Sequence, residues 1–209
     1  MKEPHLYPLF SRPIYVNNIE YDFEKLHPLI DKQTFKKIHF DKDSDFCSST
    51  ADNFLLNKPE WKEVRELVEQ HFHAYVYNIL RFTRNKFNMT TSWLTKAMHK
   101  EQGAYHNHNN CMFSGVLYLK APAERATISF QNYEPRPFHL LPEDYNIWNN
   151  LEFFIDANVG DIVIFPSQTF HKICRNTSHE ERVSLAFNFI PVGKLGEPTL
   201  DSYCEIYTA

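Results

Sequence analysis

The 209-residue chain lacks a long apolar run, a CxxC pair, an excess of either charge and a Gly/Ser-rich linker. No run approaches the roughly 18 apolar residues of a membrane span, and the first ten residues lack the apolar core of a signal peptide. The four cysteines are scattered, which favours a reduced, cytoplasmic location. Lys and Arg number 22 against 26 Asp and Glu, so the charge balance argues against nucleic-acid and membrane partners.

The composition instead describes an ordinary folded protein. Hydrophobic residues make up 43% and aromatic residues 15% of the chain, which argues against disorder and favours sheet. Without a repeat or linker, we expect one domain over residues 1–209. Within it we expect amino-terminal strand and helical support at 1–90, a core at 91–190 and a carboxy-terminal tail at 191–209. The chain also has 11 histidines, and histidine is the commonest metal ligand in proteins.

Residues 59–82 carry the clearest helix pattern. Apolar side chains recur there at helical spacing: Trp61, Val64, Leu67, Val68, Phe72, Tyr75, Val76, Ile79 and Leu80. His71 and His73 lie on this predicted helix, but two steps apart they point in different directions, so we expect ordinary roles for them. Residues 21–30 suggest a short helix and residues 14–16 a short strand.

From residue 90 onward the apolar pattern has a period of two, which is typical of strands. Together with the helix it predicts a mainly β fold with supporting helices, such as a sandwich or a jelly-roll barrel. Residues 134–155 interrupt the pattern and are interpreted as a long insert that acts as a lid. The predicted strands are 91–98, 105–108, 114–121, 126–132, 161–165, 170–175 and 183–190.

His106 and His108 carry the densest chemical signal. In a strand they would project from one face, where two imidazoles form half of a metal site. A third histidine, His171, follows the apolar segment 160–167 and could return to the first two across a barrel. Arg182 opens the next alternating strand, and with Ser184 on the same face it could grip a carboxylate.

Taken together, these segments resemble the iron(II)/2-oxoglutarate-dependent oxygenases. The small, prolyl-hydroxylase-like branch found in marine bacteria and their phages has the pattern H-x-H, S-G-V-x-Y-L, F-P-S, a distal His and R-x-S-x-x-F-N. The similarity covers residues 92–190, and residues 9–14 resemble the amino terminus of that branch more weakly. The matching pieces here are HNH at 106–108, SGVLYL at 114–119, FPS at 165–167, His171 and RVSLAFN at 182–188.

The resemblance implies a double-stranded β-helix (a jelly-roll, cupin-like fold) that holds one Fe(II). It implies His106, His108 and His171 as metal ligands, and Arg182, Ser184 and Tyr118 as groups that bind the co-substrate 2-oxoglutarate. Weaker candidates for contacts with the substrate are Arg136, Asn188 and Ser114. The implied reaction consumes O₂, releases succinate and CO₂ and hydroxylates a C–H bond of a small molecule or a peptide.

One position departs from the pattern of the larger superfamily, in which two histidines and a carboxylate bind the metal. His108 stands where the carboxylate would fall, and Asn110 and Glu134 are nearby alternatives for an oxygen ligand. Two other interpretations stay open at this point. One is a cupin-like three-His metalloenzyme without 2-oxoglutarate, and the other is a jelly-roll structural or binding protein with incidental histidines. The substrate, the native metal and the oligomeric state are not determined by the sequence.

Overall fold

The computed structural model describes residues 4–37, 45–122, 126–133, 137–138 and 140–207. These residues form eleven strands in two antiparallel sheets. The strands are β1 (Tyr15–Asn18), β2 (Phe35–Lys37), β3 (Ser48–Thr50), β4 (Lys86–Ala97), β5 (Phe113–Lys120), β6 (Ala126–Gln131), β7 (Glu152–Ala157), β8 (Asp161–Pro166), β9 (Phe170–Ile173), β10 (Arg182–Leu195) and β11 (Cys204–Ile206).

The larger sheet has the strand order β1-β8-β5-β10-β4-β3-β2, and β11 pairs with the far end of β10. The smaller sheet has the order β7-β6-β9. The chain passes from β8 of the larger sheet to β9 of the smaller one through a short turn, and residues of both sheets line one common cavity. This arrangement is the double-stranded β-helix that the family resemblance implies.

The alternation along β10 assigns each of its side chains to one of two environments. Val183, Leu185, Phe187 and Phe189 are buried in the main apolar core, together with the helices. The intervening residues at even positions, from Arg182 to Asn188, line a cavity between the sheets. The larger sheet therefore has one face for the apolar core and one face for the cavity.

The predicted helix at residues 59–82 is present but ends earlier. It begins with a 3₁₀ turn (Pro59–Trp61), continues as an α-helix (Lys62–His73) and finishes with a π-helical turn (Ala74–Ile79). Arg81 has a φ of 64°, a left-handed conformation that stops the helix before Phe82. Residues 21–30 form a 3₁₀ turn (Phe23–Leu26) and one turn of α-helix (His27–Asp31).

The prediction of a continuous insert over residues 134–155 is wrong at its carboxy-terminal end. Strand β7 begins at Glu152 and pairs along the whole of β6. Phe153 and Phe154 are each about half exposed, at 50% and 55%, so this edge strand lacks the alternation that would identify it. Residues 134–136 and 139 of the insert lie outside the described residues.

Candidate metal centre

The segment that carries His106 and His108 lies beside β9. The backbone N–H of Gly103 donates to the carbonyl of Ile173 (2.8 Å), and His106 and His171 exchange both of their backbone hydrogen bonds. The N–H of His108 donates to the carbonyl of Ser167, in the turn that precedes β9 (2.9 Å). The prediction of a strand at residues 105–108 is therefore wrong. The segment forms a single β-bridge, between His106 and His171, and His108 is bonded to a turn and not to a strand.

The three predicted histidines nevertheless come together. The ring centroids of His106 and His171 are 4.4 Å apart, and each is 5.1 Å from the centroid of His108. One ring nitrogen from each residue lies within 4.8 Å of the other two. Among the described residues, this is the one group of three or more His, Cys, Asp or Glu side chains that could hold a metal ion.

Hydrogen bonds at Nδ1 fix which nitrogen of each ring faces the others. Nδ1 of His106 lies 2.9 Å from the carbonyl oxygen of Ala104, and Nδ1 of His171 lies 2.9 Å from that of Thr169. Nδ1 of His108 lies 2.8 Å from the side-chain oxygen of Asn188. A carbonyl oxygen can only accept, so each Nδ1 carries a proton, and Nε2 is the nitrogen of each ring that is left for a metal.

The surroundings favour uncharged imidazoles at the two inner positions. Burial, with a smaller contribution from the neighbouring His106, lowers the pKa of His171 to about 3. Burial also lowers the pKa of His108, against the opposing effect of its hydrogen bond with Asn188. Both rings are therefore neutral near pH 7, which is the form that binds divalent metals.

Arg182 is a buried cation with an unused donor. Its side chain is 3% exposed, and Nη1 lies 3.4 Å from the carbonyl oxygens of Thr127 and Cys174. Nη2 is buried and has no hydrogen-bond partner among the described residues. Because a buried, unpaired charge is costly, this guanidinium is suited to bind an anion that enters the cavity.

One cavity, of about 590 Å³, is lined by the three histidines and by Arg182. Ser184 and Tyr118 also line it, and they are opposite each other in the pairing of β10 with β5. Burial raises the pKa of Tyr118 to about 12, so its phenol stays protonated and can donate a hydrogen bond. The residues assigned to the metal and to the co-substrate from the sequence thus surround the same space.

The weaker candidates have different positions. Asn188 lines the cavity, whereas Ser114 lies behind His108 and contacts its Nδ1 at 2.9 Å. Asn110 adopts a φ of 58° and lines a neighbouring, mostly apolar cavity of about 630 Å³ instead. Arg136 and the alternative ligand Glu134 lie outside the described residues.

Sequence reasoning missed the polar residues behind the histidines. Gln168 donates from Nε2 to the backbone carbonyl of His108 (2.9 Å) and accepts from Asn107 (3.2 Å). The buried Ser167 contacts Ser114 through their hydroxyl groups (2.8 Å). Ser167 belongs to the FPS motif, which was the available signal, but its partner is distant in the chain.

The segment that forms this site matches the model of a known protein family. Residues 91–188, which include all three histidines and Arg182, match the family model described as putative 2OG-Fe(II) oxygenase. This match confirms the resemblance to the iron(II)/2-oxoglutarate-dependent oxygenases, while the resemblance to the branch found in marine bacteria and phages stays a prediction. No curated protein matches the chain at a significant level.

Solved structures share the fold at low sequence identity. The non-heme alpha ketoglutarate dependent carbocyclase SnoK from nogalamycin biosynthesis has a TM-score of 0.62 at 14% identity, covering 85% of this chain and 79% of its own. HygX from Streptomyces hygroscopicus, solved with nickel and 2-oxoglutarate bound, has a TM-score of 0.59 at 11% identity, with coverages of 85% and 82%. A prolyl-4-hydroxylase from Pseudomonas putida has a TM-score of 0.57 at 12% identity, with coverages of 86% and 94%. At such identities these likenesses establish the fold.

The described part of the chain contains no helix with the length and apolar character needed to cross a membrane.

Proposed function

We propose that this chain is a 2OG-Fe(II) oxygenase that binds one Fe(II) through His106, His108 and His171 and hydroxylates a C–H bond while 2-oxoglutarate is converted to succinate and CO₂. The observation that supports this proposal best is a single cavity with two complementary features. It holds three imidazoles with free Nε2 atoms and a buried guanidinium with an unused donor. A metal and a dicarboxylate would satisfy both features.

The donor set fits a divalent first-row metal. Each imidazole presents Nε2 while its Nδ1 proton is held by an acceptor, an arrangement common among metal-binding histidines. When bound, Fe(II) with 2-oxoglutarate and O₂ supplies the oxidising chemistry. Three neutral ligands leave the site one charge more positive than a site with two histidines and a carboxylate. We therefore expect imidazole-binding metals such as Co(II), Ni(II) and Zn(II) to compete with Fe(II).

Arg182, Ser184 and Tyr118 are proposed to bind 2-oxoglutarate. The guanidinium would pair with the carboxylate distant from the metal, using Nη2, and the Ser184 hydroxyl would add a second donor. The protonated phenol of Tyr118 would donate a third. With the metal at the other end of the co-substrate, these groups would orient it and keep water from its binding site.

The substrate is proposed to be a small molecule or a side chain of a peptide, in a cytoplasmic, single-domain enzyme. The described residues that line the cavity include no Asp or Glu. These lining residues thus offer no counter-charge to a cationic substrate. Arg136 stays a proposed substrate contact at the mouth of the insert.

A cupin-like three-His enzyme without 2-oxoglutarate is the second candidate. It is favoured by the histidine cluster, which includes no carboxylate among the described residues. The unpartnered Nη2 of Arg182 argues against it, because such an enzyme has no need of an anion at that position.

Formation of succinate from 2-oxoglutarate by the Fe(II)-loaded protein under air tests the proposal. Wild type should form succinate, and Arg182→Gln should bind metal normally but form succinate only at much higher 2-oxoglutarate concentration. His171→Ala should lose both the metal and the activity. The matched controls Arg175→Gln and His73→Ala change exposed residues and should behave as wild type. Metal binding without any turnover or binding of 2-oxoglutarate would favour the cupin-like alternative.

A further inference from the structure

The three histidines are oriented by different kinds of partner. His106 and His171 each place Nδ1 against a backbone carbonyl two residues earlier in their own segment. His108 is instead held by side chains of two strands of the larger sheet, Asn188 on β10 and Ser114 on β5. Its orientation therefore depends on side-chain identity, whereas that of the other two depends on the backbone.

A small polar network surrounds Nδ1 of His108. The Asn188 side-chain oxygen lies 2.8 Å from this nitrogen and 2.7 Å from the hydroxyl of Ser114. The amide nitrogen of Asn188 donates to the hydroxyl of Thr91 (2.9 Å), and Ser114 in turn contacts Ser167 (2.8 Å). Ser114, Ser167 and Asn188 are all buried.

The backbone places Asn188 for this contact. The pairing of β10 with β4 shifts register between Phe187 and Phe189, so that Asn188 lies opposite two residues of β4, Thr90 and Thr91. Such a bulge redirects side chains on the strands it joins. Here it brings the hydroxyl of Thr91 to within 2.9 Å of the amide nitrogen of Asn188.

The orientation of the Asn188 amide assigns the donors and acceptors of this network. Its nitrogen donates to Thr91, and its oxygen faces His108 and Ser114. That oxygen can only accept, and it receives the hydroxyl hydrogen of Ser114 and the Nδ1 hydrogen of His108. The electron pair of the His108 ring is therefore on Nε2, on the side of the other two histidines.

We propose that Asn188, supported by Ser114, is a positioning residue that holds His108 in the Nδ1–H form with Nε2 directed to the metal. This inference rests on the proposed function and replaces the substrate contact expected for both residues from the sequence. An amide provides the acceptor without adding negative charge. Aspartate at this position would keep the acceptor, whereas leucine would remove it.

The tautomer of His108 can be read directly from long-range ¹H–¹⁵N correlation spectra of the metal-free protein. Wild type and Asn188→Asp should both show protonated Nδ1 at His108, and Asn188→Leu should show a mixture of the two tautomers. His106 and His171 serve as internal controls, because their backbone acceptors are unchanged in every variant. Nε2–H at His108 in the wild type would overturn the proposal, whether or not the variants fold.

Co(II) titration supplies a second readout that does not involve turnover. Asn188→Leu should weaken Co(II) binding by about 10- to 100-fold, and Asn188→Asp should restore most of it. Ser114→Ala should have a smaller effect in the same direction. Wild-type affinity in Asn188→Leu would overturn the positioning role while leaving the proposed function intact. If wild type binds Co(II) but neither binds nor converts 2-oxoglutarate, the proposed function fails instead.

Discussion

The two faces of the larger sheet share one backbone but carry different side chains. On β10, Val183 and Phe187 pack into the apolar core with the helices, while Arg182 and Ser184 line the cavity on the other face. The core face is closed by aromatic rings, and the cavity face keeps buried polar groups, one of which has an unused donor. Along β10, residues that stabilise the core therefore alternate with residues that line the cavity.

The largest effect should come from the core face. Phe72 on the long helix stacks on Phe189 with ring centroids 3.7 Å apart. Phe72→Ala should lower the free energy of unfolding by about 3–5 kcal/mol in urea titrations, because it empties a buried site. Phe10→Ala, at a ring that is 97% exposed, should change it by less than about 0.5 kcal/mol. Co(II) affinity of the folded Phe72→Ala protein should stay at the wild-type level, and a parallel loss of affinity would show that the two faces are coupled.

Arg182→Met should weaken ligand binding without lowering stability, the reverse of the pattern expected for Phe72→Ala. Loss of a charged hydrogen-bond donor should weaken 2-oxoglutarate binding by roughly 10- to 100-fold, since such bonds contribute about 1.5–3 kcal/mol. The free energy of unfolding without ligand should be unchanged or higher, because a buried cation without a carboxylate partner is removed. Calorimetry and urea unfolding measure the two quantities. A strongly destabilised variant would mean that Arg182 serves the fold instead.

Gly115 lies between the two environments. A Cβ atom added there would be 2.3 Å from Cε2 of the buried Phe187 ring, so Gly115→Ala should cost about 1–3 kcal/mol of stability. Combining it with Phe187→Leu provides the control. The two substitutions should be less destabilising together than the sum of their separate effects. Strict additivity would contradict the contact.

The smallest effect concerns pH. His171 and His108 have lowered pKa values in the folded protein, so the unfolded chain, with histidine pKa values near 6.5, binds more protons below neutrality. The contribution of these two histidines to the free energy of unfolding of the metal-free protein should therefore be fully present above about pH 7. The free energy of unfolding should fall by about 1 kcal/mol between pH 7 and pH 6. Urea unfolding in the presence of a chelator measures this slope. His171→Leu should flatten it, and an unchanged slope would show that His171 does not contribute.

The sequence predicts the cavity face well where a strict period of two holds. The alternation in residues 182–188 correctly places Arg182, Ser184 and Asn188 on one face, because every second side chain of a strand points to the same face of the sheet. The convergence of the three histidines is also correct, although the strand predicted for residues 105–108 is wrong. His108 is positioned instead by its backbone hydrogen bond to Ser167, in the turn that precedes β9.

The features of the fold and the site that the sequence does not predict depend mainly on contacts between segments distant in sequence. The role of Asn188 depends on a register shift between two strands, and a pattern within one strand carries no information about such a shift. β7 was missed because its two exposed phenylalanines hide the alternation, and its pairing with β6 is visible only in the fold. The helix end at Ile79 likewise depends on the left-handed conformation of Arg81, which the apolar spacing does not specify.

Calorimetric titration of 2-oxoglutarate into the Co(II)-loaded protein, without O₂, tests the central claim most directly. Wild type should bind one 2-oxoglutarate per chain, with much weaker binding in the metal-free protein and in Arg182→Met. Such a result would show that the histidines and the buried guanidinium act on the same ligand. Absence of binding to the metal-loaded wild type, or equal binding with and without metal and Arg182, would contradict the account.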